Sequence, residues 1–294
     1  MKSRIANRFR QIVSGSPDGR PDWVKEIERG DDVGLFGEDS PVWKVHGDIA
    51  TLVGGVRALL LQAAHPAALT GVAEQSRYES DPLGRLAGTS RWLTITTFGS
   101  TEAIAREARR VNEMHKRVVG EYSTKSGAIS PYKAADPRYL LWVHCAFTDS
   151  FLQTHLEFHP DFKEGDEYVK QWAKSALGLG LVEAPQNMAE LKRVMDDFAC
   201  NELTPSGHTA DVVRFILKPP LGSAPLLFYR FLAKSAVFSL TPTQREILGL
   251  KQVNSRWVAV TGYLLRFLSW TLGPESPSQS VAKERIARIA GRSI

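Results

Sequence analysis

Apolar helical repeats, cut apart by strong start and stop signals, run through nearly the whole chain and decide its class. Apolar residues recur at helical spacing, and no run of β-branched residues alternates with period two. Asp81-Pro82 and Asp136-Pro137 each join a capping side chain to a proline suited to the first helical position. The first pair opens a helix predicted over 82–98 and stopped by Gly99; the second opens a long apolar helix to about Phe158. Between them, Ser100 or Thr101 caps a helix with Glu102 in its first turn and Gly120 at its end. The stretch 121–135, with its Ser, Thr, Gly and Pro, reads as a loop.

Further helical patterns fall near 161–178, 186–202, 208–217, 223–239, 242–249, 254–272 and 278–290. Upstream, 42–75 reads as one or two buried helices, with Gly54-Gly55 permitting close packing or a break. No internal repeat or linker divides the chain. The expectation is therefore an all-α, multi-helix globular domain over 1–294, with a motif-bearing core at about 40–270 and basic helical ends. A chain of 294 residues can bury a sizeable core.

Charge and cysteine usage narrow the setting. The net charge is +5, and much of the excess sits at Lys2, Arg4, Arg8 and Arg10 and at Lys283, Arg285, Arg288 and Arg292. These ends read as solvated helix faces, although they permit peripheral contact with an anionic membrane. Nothing suggests base recognition, so nucleic acid is not an expected partner. Cys145 and Cys200 form no C-x-x-C pair, which fits a reducing, cytoplasmic setting. Residues 1–20 lack the apolar core of a signal peptide. The apolar stretch Ile49–Leu69 is cut by Arg57, Gln62 and His65, and Ala224–Leu240 by Arg230 and Lys234, so neither reads as a span of ~20 apolar residues.

The candidate site residues are polar groups on otherwise apolar helices, which cost free energy unless partnered. Arg85 and Thr89 lie four apart on one helix face. The arginine can clamp a carboxylate, and the threonine can offer a hydroxyl or bond back to its own helix. His115 lies among valines; it is either a metal or haem-iron ligand or a core histidine bonded to a carbonyl. His65 precedes Pro66, which disfavours helical geometry, so a bend there can aim its ring into a cavity. His144 sits mid-helix with Leu141, Thr148 and Phe151 on its face. His155 and His159 have the four-residue spacing of paired metal ligands, but Pro160 follows them and they read as exposed residues at a helix end. No E-x-x-H, H-E-x-x-H, Walker A, G-x-G-x-x-G or G-x-S-x-G pattern occurs, so di-iron, hydrolytic, phosphoryl-transfer and dinucleotide chemistries have no support.

In order along the chain stand His65-Pro66, Asp81-Pro82, Gly84-Arg85-Leu86, Thr89, Phe98-Gly99, His115, Gly120, Tyr132, Asp136-Pro137 and Trp142-Val143-His144. This succession resembles the MpaB and rubber-oxygenase (latex-clearing protein) catalytic-domain family. The resemblance implies an all-α fold enclosing haem b in a buried pocket, with His115 as the proximal iron ligand and Arg85 and Thr89 near the haem. It implies oxygenative cleavage of carbon–carbon double bonds, with dioxygen and an apolar, isoprenoid-like small molecule as partners. One departure stands out: the family's lysine before the helical threonine is replaced by Gly88. The sixth iron position would then be open, or filled by His65 or His144. The family's glutamate base has Glu74 as its nearest counterpart. Three other readings stand beside this one: a haem-binding protein without oxygenase activity, a non-haem metal site of His65, His115 and His144, and a helical scaffold with structural histidines.

Overall fold

The computed structural model describes residues 21–73, 82–273 and 275–292, without the side chains of 72–73, 82–87, 224 and 292. Fourteen helices fall among the described residues. They are α1 (Trp23–Glu28), α2 (Pro41–Gly47), α3 (Thr51–Ala63), α4 (Pro66–Ala73), α5 (Pro82–Phe98), α6 (Thr101–His115), α7 (Pro137–Phe158) and α8 (Gly165–Leu177). The series ends with α9 (Met188–Asn201), α10 (Thr209–Leu217), α11 (Ser223–Phe238), α12 (Pro242–Ile247), α13 (Arg256–Leu272) and α14 (Pro277–Arg292). Among the described residues one hairpin, β1 (Val119–Ser123) and β2 (Ile129–Lys133), joins α6 to α7. The protein is thus mostly α-helical.

The start signals act as the residue chemistry requires. Asp136 accepts from the Arg138 amide at 2.8 Å, with Pro137 in the first helical position of α7. Ser40 accepts from Trp43 N–H at the head of α2, and Ser100 from Ala103 N–H at the head of α6. Thr241 and Gln244 form a reciprocal capping box on α12. Each cap answers donors that the helix itself leaves unpaired and contributes about 1 kcal/mol.

The centre of the molecule is the packing of α3 on α7. Gly54 makes that approach close: a Cβ there would stand 2.6 Å from Phe151 Cδ1 and 2.9 Å from Thr154 Oγ1. Leu60 and Leu61 of α3 are fully buried, worth about 1.5–3 kcal/mol each. Arg57 lies in the same interface and pairs with Asp149 Oδ2 at 2.7 Å. Helices α10 and α11 cover α3, and α13 packs on α11. Helix α14 crosses α1 and α5.

Four expectations need correction. The basic helix α14 is not simply a solvated face, because Arg285 is fully buried. Its guanidinium donates to the carbonyls of Ile27, Val33 and Phe98, and so closes the C-terminal ends of α1 and α5. The segment 121–135 is not a loop: β1 and β2 pair antiparallel from Val119↔Lys133 to Ser123↔Ile129. Its strands are short and polar, with only one half-covered face, so they carry no apolar alternation; Gly127 supplies the turn at φ +85°. Helix α6 stops at His115 rather than Gly120, because Val118 O accepts from Ala134 N–H and draws the chain towards the hairpin. The stretch 42–75 holds three helices, the second break being made by His65-Pro66.

Candidate functional site

Helices α5 and α6 meet at Gly99-Ser100 and are locked by one buried carboxylate. Glu107 of α6 accepts from Arg91 Nε of α5 at 2.9 Å and from Arg110 Nη2 at 2.6 Å. Burial pulls the Glu107 carboxyl upward, but the hydrogen bonds from Arg110 and Arg91 outweigh it and hold the group below its ordinary value. This clamp fixes the helix carrying Thr89 against the helix ending in His115. Thr89 itself is half-buried. Arg85 lies on α5, with its side chain outside the described residues, as are Glu74 and Asp81. In the last turn of α5, the buried hydroxyl of Thr96 has no hydrogen-bond partner among the described residues.

Two histidines carry similarly unanswered ring nitrogens. His115 Nδ1 and His144 Nε2 are buried and have no hydrogen-bond partner among the described residues. Burial lowers the pKa of His115, and pushes that of His144 down to about 4. Both rings are therefore neutral near pH 7, the state in which an imidazole ligates a metal. A buried polar atom left unmet costs about 1–3 kcal/mol. Such atoms are few in native proteins and point to a role or to a bound group.

His65 is placed differently. It stands between α3 and α4, where its Nδ1 accepts from Ala67 N–H at 3.2 Å. That acceptance puts the ring proton on Nε2, which lies 3.2 Å from Glu202 Oε2. Both ring nitrogens are thus engaged within the protein. Glu202 also takes Arg138 Nε at 2.7 Å. Burial draws the Glu202 carboxyl up, and the bonds from His65 and Arg138 outweigh it to keep the group below its usual value. The His65 ring sits among Tyr122, Tyr139, Trp142 and Phe198 at 5.6–6.4 Å between ring centroids. The structure therefore brings His65 against the first turns of α7.

Two further polar groups were not evident from spacing. His46 is a satisfied core histidine: Thr97 Oγ1 lies 2.8 Å from Nδ1, and Tyr168 Oη lies 2.9 Å from Nε2. Thr97 gives its own proton to Leu93 O, so Nδ1 donates and Nε2 accepts from Tyr168. Burial, with His155 nearby, pushes His46 down to about 3. The second group is Asp48, which both His155 and His159 approach. His155 is buried, against the expectation of an exposed pair, because it turns inward onto that carboxylate.

Imidazoles with a buried, unmet ring nitrogen thus stand at the end of α6 and on α7. The sequence pattern described as ER-bound oxygenase mpaB/B'/Rubber oxygenase, catalytic domain, matches residues 43–272. The chain belongs to that family, which implies an oxygenase type of activity with dioxygen and a small-molecule substrate. No curated protein and no solved structure matches the chain. No helix among the described residues is long and apolar enough to cross a membrane.

Proposed function

We propose that this chain is a haem-b-dependent oxygenase acting on an apolar, isoprenoid-like molecule, with the site built into one domain. The observation that carries this reading is the buried, unpartnered Nδ1 of His115 in a chain of this oxygenase family. The residues present suit a haem: they offer a neutral imidazole at the end of α6, a second one on α7 and an unmet hydroxyl on α5. When bound, haem supplies the iron centre for dioxygen chemistry, while the protein sets the ligand and excludes water.

In this reading His115 would hold the haem iron through its imidazole. Arg85 pairs with a propionate or orients the substrate, and Thr89 offers a hydroxyl near the reacting end. His144 would offer a second imidazole to the bound group. His65 serves as a wall and a positioning residue, since Ala67 and Glu202 already take its nitrogens. The Glu107 clamp holds α5, which carries Arg85 and Thr89, against α6, which ends in His115, as a shared site would require.

Titrating the purified protein with hemin tests this directly. One equivalent should produce a Soret band that is lost or shifted in His115→Ala. A featureless titration in a folded protein would refute haem binding, and an unchanged band in His115→Ala would refute the ligand assignment. Turnover of an apolar alkene with dioxygen, measured on the haem-loaded protein, separates an oxygenase from a haem carrier.

A further inference from the structure

Asp48, His155 and His159 converge where the α2–α3 junction meets the end of α7. Asp48 Oδ2 lies 2.8 Å from His155 Nδ1 and 2.7 Å from His159 Nε2. All three donor atoms fall within 4.8 Å of one another. Asp48 Oδ1 accepts from Ala50 N–H at 3.1 Å, which fixes the direction of the carboxylate. His155 is buried and stands edge-on to Phe162 at 4.7 Å. His159 is 51 % exposed and stacks on His155 at 4.6 Å. One imidazole is thus held rigidly, the other is free to adjust, and the open side faces water.

The geometry points to a divalent transition-metal site of the zinc type, held by Asp48 Oδ2, His155 Nδ1 and His159 Nε2, with water completing the shell. It shares no residue with the proposed haem site and stands or falls apart from it. Two imidazoles and one carboxylate are a borderline donor set, suited to zinc and its first-row neighbours and poorly suited to calcium or magnesium. The spacing needs little change. Bonds of about 2.0–2.1 Å in a tetrahedron place neighbouring donors about 3.3–3.4 Å apart. The present 2.7 and 2.8 Å separations must therefore open by roughly half an ångström. The exposed His159 ring can supply most of that movement.

The proton balance is simple. Without metal, each ring donates an N–H to the same carboxylate oxygen. With metal, the ligating nitrogen of each ring must be free of its proton, which passes to water or to the ring's other nitrogen, and the ion takes the place of the two N–H hydrogens. The chelate then joins the α2–α3 junction to the end of α7 by coordinate bonds in place of hydrogen bonds.

The test is isothermal titration of the tag-free, chelator-stripped full chain with Zn²⁺, paired with visible spectroscopy of Co²⁺ added alone. The expected result is one saturable ion per chain and a ligand-field band typical of four-coordinate cobalt. His159→Gln removes an exposed ligand and leaves the core intact. It should weaken binding by about tenfold or more, since loss even of an outer partner costs about 10–100-fold. Asp48→Asn, which keeps the acceptor for Ala50, should do the same, whereas His115→Ala should bind like the parent chain. Absence of saturable binding, or equal affinity in the parent chain and His159→Gln, would overturn the site. Loss of binding in His115→Ala with retention in His159→Gln would place the ion elsewhere and overturn it too.

Discussion

Replacing Arg57 with methionine should be among the most damaging single changes in the helical core. The guanidinium is 1 % exposed, lies 2.7 Å from Asp149 and donates to Ser150 Oγ at 3.1 Å. Methionine keeps the length and apolar stem of the side chain, so the loss measured is chiefly that of the charge and its bonds. Breaking a buried pair by removing one partner costs about 3–5 kcal/mol, because the remaining charge is left without compensation. Asp149 is 15 % exposed and keeps some hydration, which favours the lower end, about 3 kcal/mol. At about 2–4 °C per kcal/mol for a chain of this size, the midpoint should fall by roughly 6–12 °C. Urea unfolding and thermal melts of the parent chain, Arg57→Met and the double variant Arg57→Met/Asp149→Leu check the argument. The double variant should recover most of the loss, since an apolar pair needs no charge compensation. A loss under about 1 kcal/mol in the single variant would refute the reasoning. So would a double variant as unstable as the single one, because packing rather than charge would then be responsible.

Acid should loosen the α5–α6 clamp. The Glu107 carboxyl is held below its ordinary value of 4.5, so its contribution is full above that value and fades as pH falls through the lower folded-state value. Glu107→Gln should therefore be less stable than the parent near neutral pH, with the gap narrowing as pH falls below that ordinary value; a constant gap in urea midpoints would contradict this. Gly54→Ala should cost about 1–3 kcal/mol by overpacking, because its Cβ would collide with Phe151 and Thr154; a neutral result in the same urea assay would mean that α3 and α7 separate easily. Arg285→Met should leave the carbonyls of Ile27, Val33 and Phe98 without their shared donor and lower stability by about 3 kcal/mol. Hydrogen exchange should show the loss first at the ends of α1 and α5, and uniform protection there would contradict it.

The helices announce themselves through local chemistry. Asp136-Pro137 and Thr241-Pro242 mark α7 and α12 because a cap and a first-turn proline act within a few residues. The hairpin escapes the same reading because VGEYS and ISPYK bury only one side, and even that side only partly. Periodicity also cannot tell which charge is buried. Arg285 resembles its solvated neighbours until three distant carbonyls are seen around it. The site divides in the same way. The break at His65-Pro66 follows from local sterics, whereas the bond to Glu202 joins residues 137 positions apart. The four-residue spacing of His155 and His159 was visible, but Asp48, the residue that turns the first of them inward, lies 107 positions upstream of it.

The claim on which the functional account rests is that the His115 ring binds the haem iron. Ligand rescue of His115→Gly tests it most directly. The hemin-loaded variant should lack the parent absorption spectrum, and added imidazole should restore it by filling the space the ring vacated. A parent-like spectrum in His115→Gly before any imidazole is added would contradict the account.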